Sequence, residues 1–85
     1  MLNVTPSACS LLRDLLERKR VSTGKAVRIV VKGSGLGTTI DAQHEGDAVV
    51  RDHDRPLLLM DPRMAERLAD CTLDVEPDSR ALLLL

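Results

Sequence analysis

The first part of the chain combines a helix-start signal with apolar side chains at helical spacing. Thr5 is a favoured N-cap residue, and Pro6 suits the first helical position because its missing N–H would have no partner there. The pattern predicts a helix over residues 6–20, ended by Thr23 and Gly24. Its apolar stripe recurs at i, i+3, i+4, i+7 and i+8 and consists of Ala8, Leu11, Leu12, Leu15 and Leu16.

Short apolar runs separated by turn residues follow this helix and predict strands. In the first run, alternation places Val27, Ile29 and Val31 on one face and Arg28 and Lys32 on the other. Gly, Asp and His residues between the runs favour turns. The predicted strands cover residues 26–32, 38–43, 47–51, 56–60 and 71–76.

A second helix is predicted to begin at Asp61 and Pro62, which repeat the combination of N-cap residue and first-turn proline. It extends to about Ala69, with three inward residues, Met64, Ala65 and Leu68. This order of elements predicts an α+β fold with a mixed, mostly antiparallel sheet. No repeat or linker interrupts residues 1–85, so a single domain is expected.

Composition and charge exclude several classes of function. Twelve basic and thirteen acidic residues give a net charge of −1, which argues against the basic surface of a nucleic-acid-binding protein. The chain has no aromatic residue on which a base could stack. Its longest apolar run, residues 81–85, is far shorter than the ~20 residues of a membrane span, and no signal-peptide pattern precedes the first helix. Two cysteines without a CxxC spacing predict reduced thiols and a cytoplasmic protein.

A glycine-rich segment, Gly33, Ser34, Gly35, Leu36 and Gly37, invites comparison with loops that bind anions through backbone N–H groups. It lacks the spacing of a dinucleotide fingerprint or a Walker A loop, and it runs into a predicted strand. A connection between strands that needs unusual φ values is the favoured interpretation. An anion-binding loop is the alternative.

Neither a metal site nor a catalytic site is predicted. Ser34, Cys9 and Cys71 are potential nucleophiles, but nothing in the sequence brings them to a base, so the protein is not expected to be an enzyme. Six potential metal ligands lie where turns favour polar residues, and they are interpreted as solvated turn residues: Asp41, His44, Asp47, Asp52, His53 and Asp54.

Together these segments resemble the A-type iron–sulfur carriers, the HesB/IscA-like family, over nearly the whole chain. Val4-Thr-Pro-Ser-Ala8 is similar to the family's opening V-T-x-A-A, and Val27-Arg-Ile-Val-Val-Lys-Gly33 is similar to L-R-I-x-V-K-x-G. Gly46-Asp-Ala-Val49, Leu57-Leu-Leu-Met-Asp-Pro62 and Thr72-Leu-Asp-Val75 continue the resemblance in the same order. It implies a mixed β-sheet with helices packed on it.

The departures from the family pattern concern the cluster ligands. The family binds its cluster through one cysteine in a G-G-C-S-G loop and two in a C-G-C tail, and Gly35 occupies the loop position here. No C-G-C sequence follows, and neither Cys9 nor Cys71 lies at a ligand position. Because clusters need thiolate ligands, the resemblance implies a degenerate, non-catalytic member without a bound cluster, other cofactor or metal.

The consecutive leucines at positions 82–85 bear on assembly. Burial of one leucine is worth roughly 1.5–3 kcal/mol, and consecutive leucines in a strand point to both faces. One face can pack on the core and the other then needs a cover. In the family that the chain resembles, the sheet edge and the C-terminal region commonly meet a second subunit, so the resemblance implies a homo-oligomer, most simply a dimer, and further protein partners in iron–sulfur assembly. The alternative function is a small-molecule or anion-binding module that uses the loop Gly33–Gly37.

Overall fold

The computed structural model describes residues 1–85 and contains two helices and seven strands. The helices begin at the two predicted positions, directly after Thr5 and Asp61, whose side chains accept hydrogen bonds from Ala8 N and Met64 N at 3.2 and 2.8 Å. The elements in chain order are β1 (Asn3–Val4), α1 (Pro6–Arg18), β2 (Lys25–Lys32), β3 (Gly35–Ala42), β4 (Ala48–Asp52), β5 (Arg55–Met60), α2 (Pro62–Arg67), β6 (Thr72–Val75) and β7 (Leu82–Leu84).

The strands form two sheets. The larger has the order β3-β2-β5-β4, in which β2–β3 and β4–β5 are antiparallel hairpins and the central pair β2–β5 is parallel. The smaller has the order β1-β6-β7, with a parallel pair β1–β6 and an antiparallel pair β6–β7. Three of the five strand pairs are antiparallel, which confirms the predicted α+β class with mixed, mostly antiparallel sheets.

The core lies where α1 and α2 pack against the strands. Helix α1 contacts β2, β5 and β6, and α2 contacts β5. Strand β5 is buried on both faces from Leu57 to Met60, as expected for a central strand with a parallel neighbour. Most of the predicted apolar stripe of α1 faces this core: Ala8, Leu12 and Leu16 are buried in it and Leu15 packs against it. Leu11 is half-buried and lies outside the core, contrary to the prediction. The largest fully buried side chains are Leu12, Leu16, Val27, Leu57, Leu58, Leu59 and Met60.

Several predicted boundaries are wrong. Residues 35–37 belong to β3 instead of the predicted loop, because they pair with Lys32, Val31 and Val30 across the hairpin. Helix α2 ends at Arg67, two residues before the predicted end. Strand β1 was not predicted, since two residues are too few to show a periodicity. The sequence predicts Val27 and Val31 on one face of β2, but only Val27 is buried. Val31 lies beyond the edge of the core and is 59 % exposed.

Helix α1 ends at Arg18 and not at residue 20, in a Schellman motif. Arg20 N donates to Glu17 O at 3.1 Å, and Val21 N donates to Leu16 O at 3.0 Å, the two hydrogen bonds of that motif. Arg20 has φ +50°, the left-handed conformation that usually selects glycine at this position. The helix is therefore ended by local backbone hydrogen bonds before the chain reaches Gly24.

Arg20→Gly is expected to raise the free energy of unfolding by about 1 kcal/mol, because glycine adopts the left-handed region without the steric cost of a side chain. Urea unfolding followed by circular dichroism measures the change. Lys19→Gly is the matched control: Lys19 has φ −82°, so glycine there should lower the stability by roughly 0.5–1 kcal/mol. Equal destabilisation by both substitutions would contradict this account of the helix end.

Candidate functional site

The glycine-rich segment forms the tip of the β2–β3 hairpin. Gly33 and Ser34 make a two-residue turn, and Gly33 has φ +57° at its first position. Such a turn has the twist that matches the flanking strands and prefers glycine at that position. Lys32 and Gly35 then pair directly across the turn. The tip is thus a tight hairpin.

This geometry does not support the anion-binding alternative. A backbone nest needs consecutive N–H groups that converge on one point, whereas Gly35, Leu36 and Gly37 are extended and pair with β2. The alkyl stem of Lys32 also crosses over Gly37, where an added Cβ would lie 2.5 Å from Lys32 Cδ. Glycine at position 37 therefore permits the close approach of a side chain, and the predicted site residues Gly33–Gly37 serve a structural role.

Position 35, where the resemblance places a cysteine in the family, has room for a side chain. An added Cβ at Gly35 would meet only Lys32 O, at 4.0 Å, and Gly35 does not have a positive φ. Packing and backbone conformation would both accept a cysteine here. The missing thiol is therefore not a consequence of the hairpin geometry.

An apolar groove of about 210 Å³ lies between the hairpin and the smaller sheet. Leu36, at the hairpin tip, is 37 % exposed and forms one wall of it. Gly35 does not line the groove, although its chain neighbour Leu36 does. Its lining consists of Ile29, Leu36, Gly37, Thr38, Leu73, Leu82 and Leu84.

The two cysteines lie on other elements. Cys9 is in α1 and Cys71 precedes β6, and both are half-buried against the hydrophobic core. Both are free thiols. No group of three or more His, Cys, Asp or Glu side chains converges with metal-site geometry anywhere in residues 1–85.

The six acidic and histidine candidates separate into two groups. Asp52 pairs with Arg13, with Arg13 Nε 2.8 Å from Asp52 Oδ2, while His53 and Asp54 are exposed at the β4–β5 turn. Asp41, His44 and Asp47 lie beside β2, where Arg28 occupies the space between the two carboxylates. The interpretation as solvated turn residues is therefore wrong for Asp47, whose side chain is only 2 % exposed. It is also wrong for Asp41 and Asp52, which lie in β3 and β4 and form ion pairs.

Arg28 is the centre of a buried ionic network. Its Nε lies 2.8 Å from Asp41 Oδ2, and its Nη1 and Nη2 lie 3.1 and 2.5 Å from the two oxygens of Asp47. Nη2 also donates to the carbonyl of Ala42 at 3.1 Å. The backbone N–H of His44 adds a further hydrogen bond to Asp47 Oδ2 at 2.7 Å. These hydrogen bonds explain how Arg28, at 7 % exposure, is buried between the apolar residues Val27 and Ile29.

The network shifts the pKa values of its members in the directions that stabilise their charged forms. The hydrogen bond from Arg28 lowers the pKa of Asp47, and the backbone N–H of Ala42, followed by Arg28, lowers that of Asp41. The hydrogen bond to Asp47 raises the pKa of Arg28, against the opposing effect of its burial. Each of these charged groups is already paired with another member of the network, so the network has a structural role. A signal for it exists in the sequence: one arginine inside a β-branched run, followed by acidic residues at both ends of the next turn.

The largest groove, about 900 Å³, is an open surface between the end of α1 and the β4–β5 turn. Arg13, Arg20 and Arg55 line it together with Glu17, Asp52 and Asp54. The formal charges of these six residues sum to zero. The left-handed conformation of Arg20 is explained by its position at the end of α1. The groove therefore has no preference for a charged ligand of either sign.

Comparison with known proteins identifies the fold. No protein-family model and no curated protein matches this sequence. The crystal structure of SufA, a protein of Escherichia coli involved in the biosynthesis of iron–sulfur clusters, is similar over 99 % of this chain and 83 % of the SufA chain, with a TM-score of 0.62 and 21 % identity. The chain therefore has a HesB/IscA-like α+β fold of the kind found in SufA. None of its helices is long and apolar enough to cross a membrane.

Asp47→Asn is expected to lower the free energy of unfolding by about 3 kcal/mol, because it leaves the buried Arg28 guanidinium without its bidentate partner. Urea unfolding at neutral pH measures the loss. Asp54→Asn is the matched control, since Asp54 is exposed and forms no ion pair. The control should change the stability by less than about 0.5 kcal/mol. A loss of similar size in both variants would contradict a specific role for the network.

The same pair of proteins tests the pH dependence. The folded-state pKa of Asp47 lies below its ordinary value of 3.8, so its contribution is complete above that value and disappears as the pH falls through the folded-state pKa. The stability difference between the wild type and Asp47→Asn should therefore be constant near neutral pH and shrink below pH 3.8. A difference that persists unchanged in acid would show that charge is not its origin.

Proposed function

We propose that this protein is a non-catalytic relative of the A-type iron–sulfur carriers that retains their fold without ligating a cluster. The observation that carries the proposal is the likeness to SufA over 99 % of the chain, combined with a glycine at position 35, where the family pattern has its loop cysteine. Iron–sulfur assembly is then the process in which the protein takes part, through contacts with other proteins. The tight hairpin turn argues against the anion-binding alternative.

The small number of cysteine thiolates supports the proposal that the protein does not ligate a cluster. Iron–sulfur clusters are held by four cysteine thiolates, or by some combination of cysteine and histidine. One chain offers only Cys9 and Cys71, and a dimer would offer four thiols only if both pairs converged. Both side chains pack against the core, on elements other than the hairpin that carries Gly35. The hairpin position that corresponds by resemblance to the family's loop cysteine is a glycine, followed by the exposed Leu36.

Anaerobic incubation with ferrous iron and sulfide, followed by desalting, is expected to leave no cluster on the protein. The readouts are the visible absorption spectrum and the content of iron and acid-labile sulfide per chain. A Cys9→Ser/Cys71→Ser variant is the control and should give the same spectrum as the wild type. Stoichiometric iron and sulfide in the wild type, lost in this variant, would overturn the proposal.

The proposed relation to iron–sulfur assembly predicts which proteins bind. Affinity purification of the full chain from its native cell should enrich proteins of iron–sulfur assembly over a control in which the bait is absent. Partners are identified by mass spectrometry and rechecked with purified proteins. Enrichment only of proteins unrelated to iron–sulfur assembly would remove the process from the proposal and leave the fold relationship.

We also propose that the protein is a homo-oligomer. The support is the apolar surface at the end of the chain: Leu85 is 66 % exposed, and Leu83 and Leu84 are each 36 % exposed. These three consecutive residues leave more apolar surface in water than isolated surface leucines do, and such patches mark contact surfaces.

A further inference from the structure

Strand β3 forms an open edge of the larger sheet, with β2 on one side and no strand on the other. Lys32 and Gly35 flank the two-residue turn and so form the first hydrogen-bonded pair of the hairpin. Hydrogen-bonded and non-hydrogen-bonded pairs then alternate along the antiparallel ladder. Leu36, Thr38 and Ile40 therefore direct their N–H and C=O groups to the open edge.

This edge lacks the features by which proteins usually prevent strand pairing, which are charged residues, proline, a bulge or a very short strand. Strand β3 has eight residues, pairs with β2 without a register shift and carries no charged residue or proline from Gly35 to Ile40. The other open edges each have a protective feature. Strand β4 has a register shift between Val50 and Arg51, and β1 and β7 have only two and three residues. Strand β3 is thus the edge best suited to accept a further strand.

Two grooves open on the face of β3 that carries the side chains of Leu36, Thr38 and Ile40. The first is the apolar groove described above, and the second, of about 380 Å³, lies between α1 and β3. Thr38 lines both. Directly opposed residues of a strand pair point to the same face, so a strand paired with β3 would direct every second side chain toward these grooves. The second groove is lined by Leu15, Lys19, Val27, Thr38, Thr39 and Ile40.

The opposite face of β3 has a positive charge beside the edge. Three carbons of the Lys32 side chain lie 3.0 Å or less from the place that a Cβ on Gly37 would take. The glycine therefore lets this side chain cross from β2 over β3, which brings the ammonium group toward the open edge. Lys32 forms no ion pair within the chain, and neither do the other two lysines, Lys19 and Lys25.

We propose that β3 binds an extended segment of a partner protein as an added strand, and that this segment alternates apolar and acidic residues. Its apolar side chains lie opposite Leu36, Thr38 and Ile40 and fill the two grooves. Its acidic side chains lie on the other face, beside Lys32. In this mode of recognition, backbone hydrogen bonds give affinity and pockets for alternate side chains give specificity. The inference rests on the proposed role through contacts with other proteins and names the surface that makes them.

Charge argues against a second copy of β3 as the occupant. If two copies paired antiparallel about Thr38, both Lys32 side chains would lie on the same face of the strand pair. No acidic residue lies between positions 35 and 40 to separate the two ammonium groups. Like charges opposed across a strand pair are destabilising, whereas a carboxylate of an acidic segment would pair with Lys32.

The probe for this site is the peptide acetyl-Val-Glu-Val-Glu-Val-amide, titrated into the full chain and followed by the NMR signals of the backbone amides. We expect saturable shifts at Leu36, Thr38 and Ile40, with a dissociation constant of about 1 mM or below, so a titration to about 5 mM covers the range. The amides of β4 and β7 serve as internal controls and should not shift. No saturable shift in β3, or equal shifts in all three strands, would overturn the proposal.

N-methylation of the probe separates strand pairing from other modes of contact. The N–H of the central valine faces Thr38 in the proposed pair, whereas the N–H of each glutamate faces away from β3. Methylation of the central valine should raise the dissociation constant at least about tenfold, because it removes a hydrogen bond at the centre of the pair. Methylation of the second glutamate is the matched control and should change it by less than about twofold. Equal effects at the two positions would overturn strand addition.

Lys32→Glu tests the preference for an acidic segment. It should raise the dissociation constant of the probe about threefold or more at low salt, because it replaces an attraction between exposed charges with a repulsion. Arg63→Glu makes the same change of charge at an exposed position of α2 and should leave the constant within about twofold of the wild type. Equal binding of the probe by the two variants would overturn the acidic part of the proposal.

These outcomes are separate from those that test the proposed function. A chain that enriches proteins of iron–sulfur assembly but does not bind the probe would overturn the assignment to β3 and leave the proposed role in place. Hydrogen exchange of the chain without the probe tests the second copy as occupant. Slower exchange of the Thr38 amide with increasing protein concentration would show that copies of this chain pair through β3, and it would overturn the proposed partner.

Discussion

The buried guanidinium of Arg28 holds together three segments that succeed one another along the chain. It joins β2 to Asp41 in β3 and to Asp47, which directly precedes β4. These carboxylates are needed because a buried charge must be paired. The hairpin β2–β3 and the turn before β4 are therefore both held by contacts with the Arg28 side chain. That turn directs the β4–β5 hairpin back toward β2, so that β5 pairs in parallel with β2.

The parallel pair β2–β5 in turn organises the core. Both strands are flanked by neighbours within the sheet, and β5 is covered by α1 and α2, so its residues from Leu57 to Met60 are buried. The smaller sheet closes the remaining side of the domain through contacts between the two ends of the chain. Asn3 N and Thr5 N donate to the carbonyls of Cys71 and Leu73 at 3.0 Å. Thr5 serves both as the N-cap of α1 and as a hydrogen-bond donor to Asp74, so the start of the first helix depends on the last part of the chain.

The hairpin tip relates this architecture to function. Its backbone has room for a side chain at Gly35, and the groove lined by the following residue, Leu36, is formed by leucine, isoleucine, glycine and threonine. A fold shared with SufA is thus combined with a surface suited to contacts between apolar groups.

The sequence by itself determined the local elements: both helix starts, the strand character of most apolar runs and the α+β class. Caps, prolines and periodicity act within a few residues of one another, so they can be read without knowing the fold. Only the tertiary structure decided that the strands divide into two sheets, that Asp47 is buried and that Gly35 belongs to a strand. The division into two sheets and the burial of Asp47 depend on partners distant in sequence: Asp47 pairs with Arg28, 19 positions away. Gly35 instead joins β3 through Lys32, across a two-residue turn whose register the local pattern did not reveal. Propensity and spacing contain no information on which distant partner a strand or a carboxylate will meet, because that choice minimises the free energy of the whole packed chain.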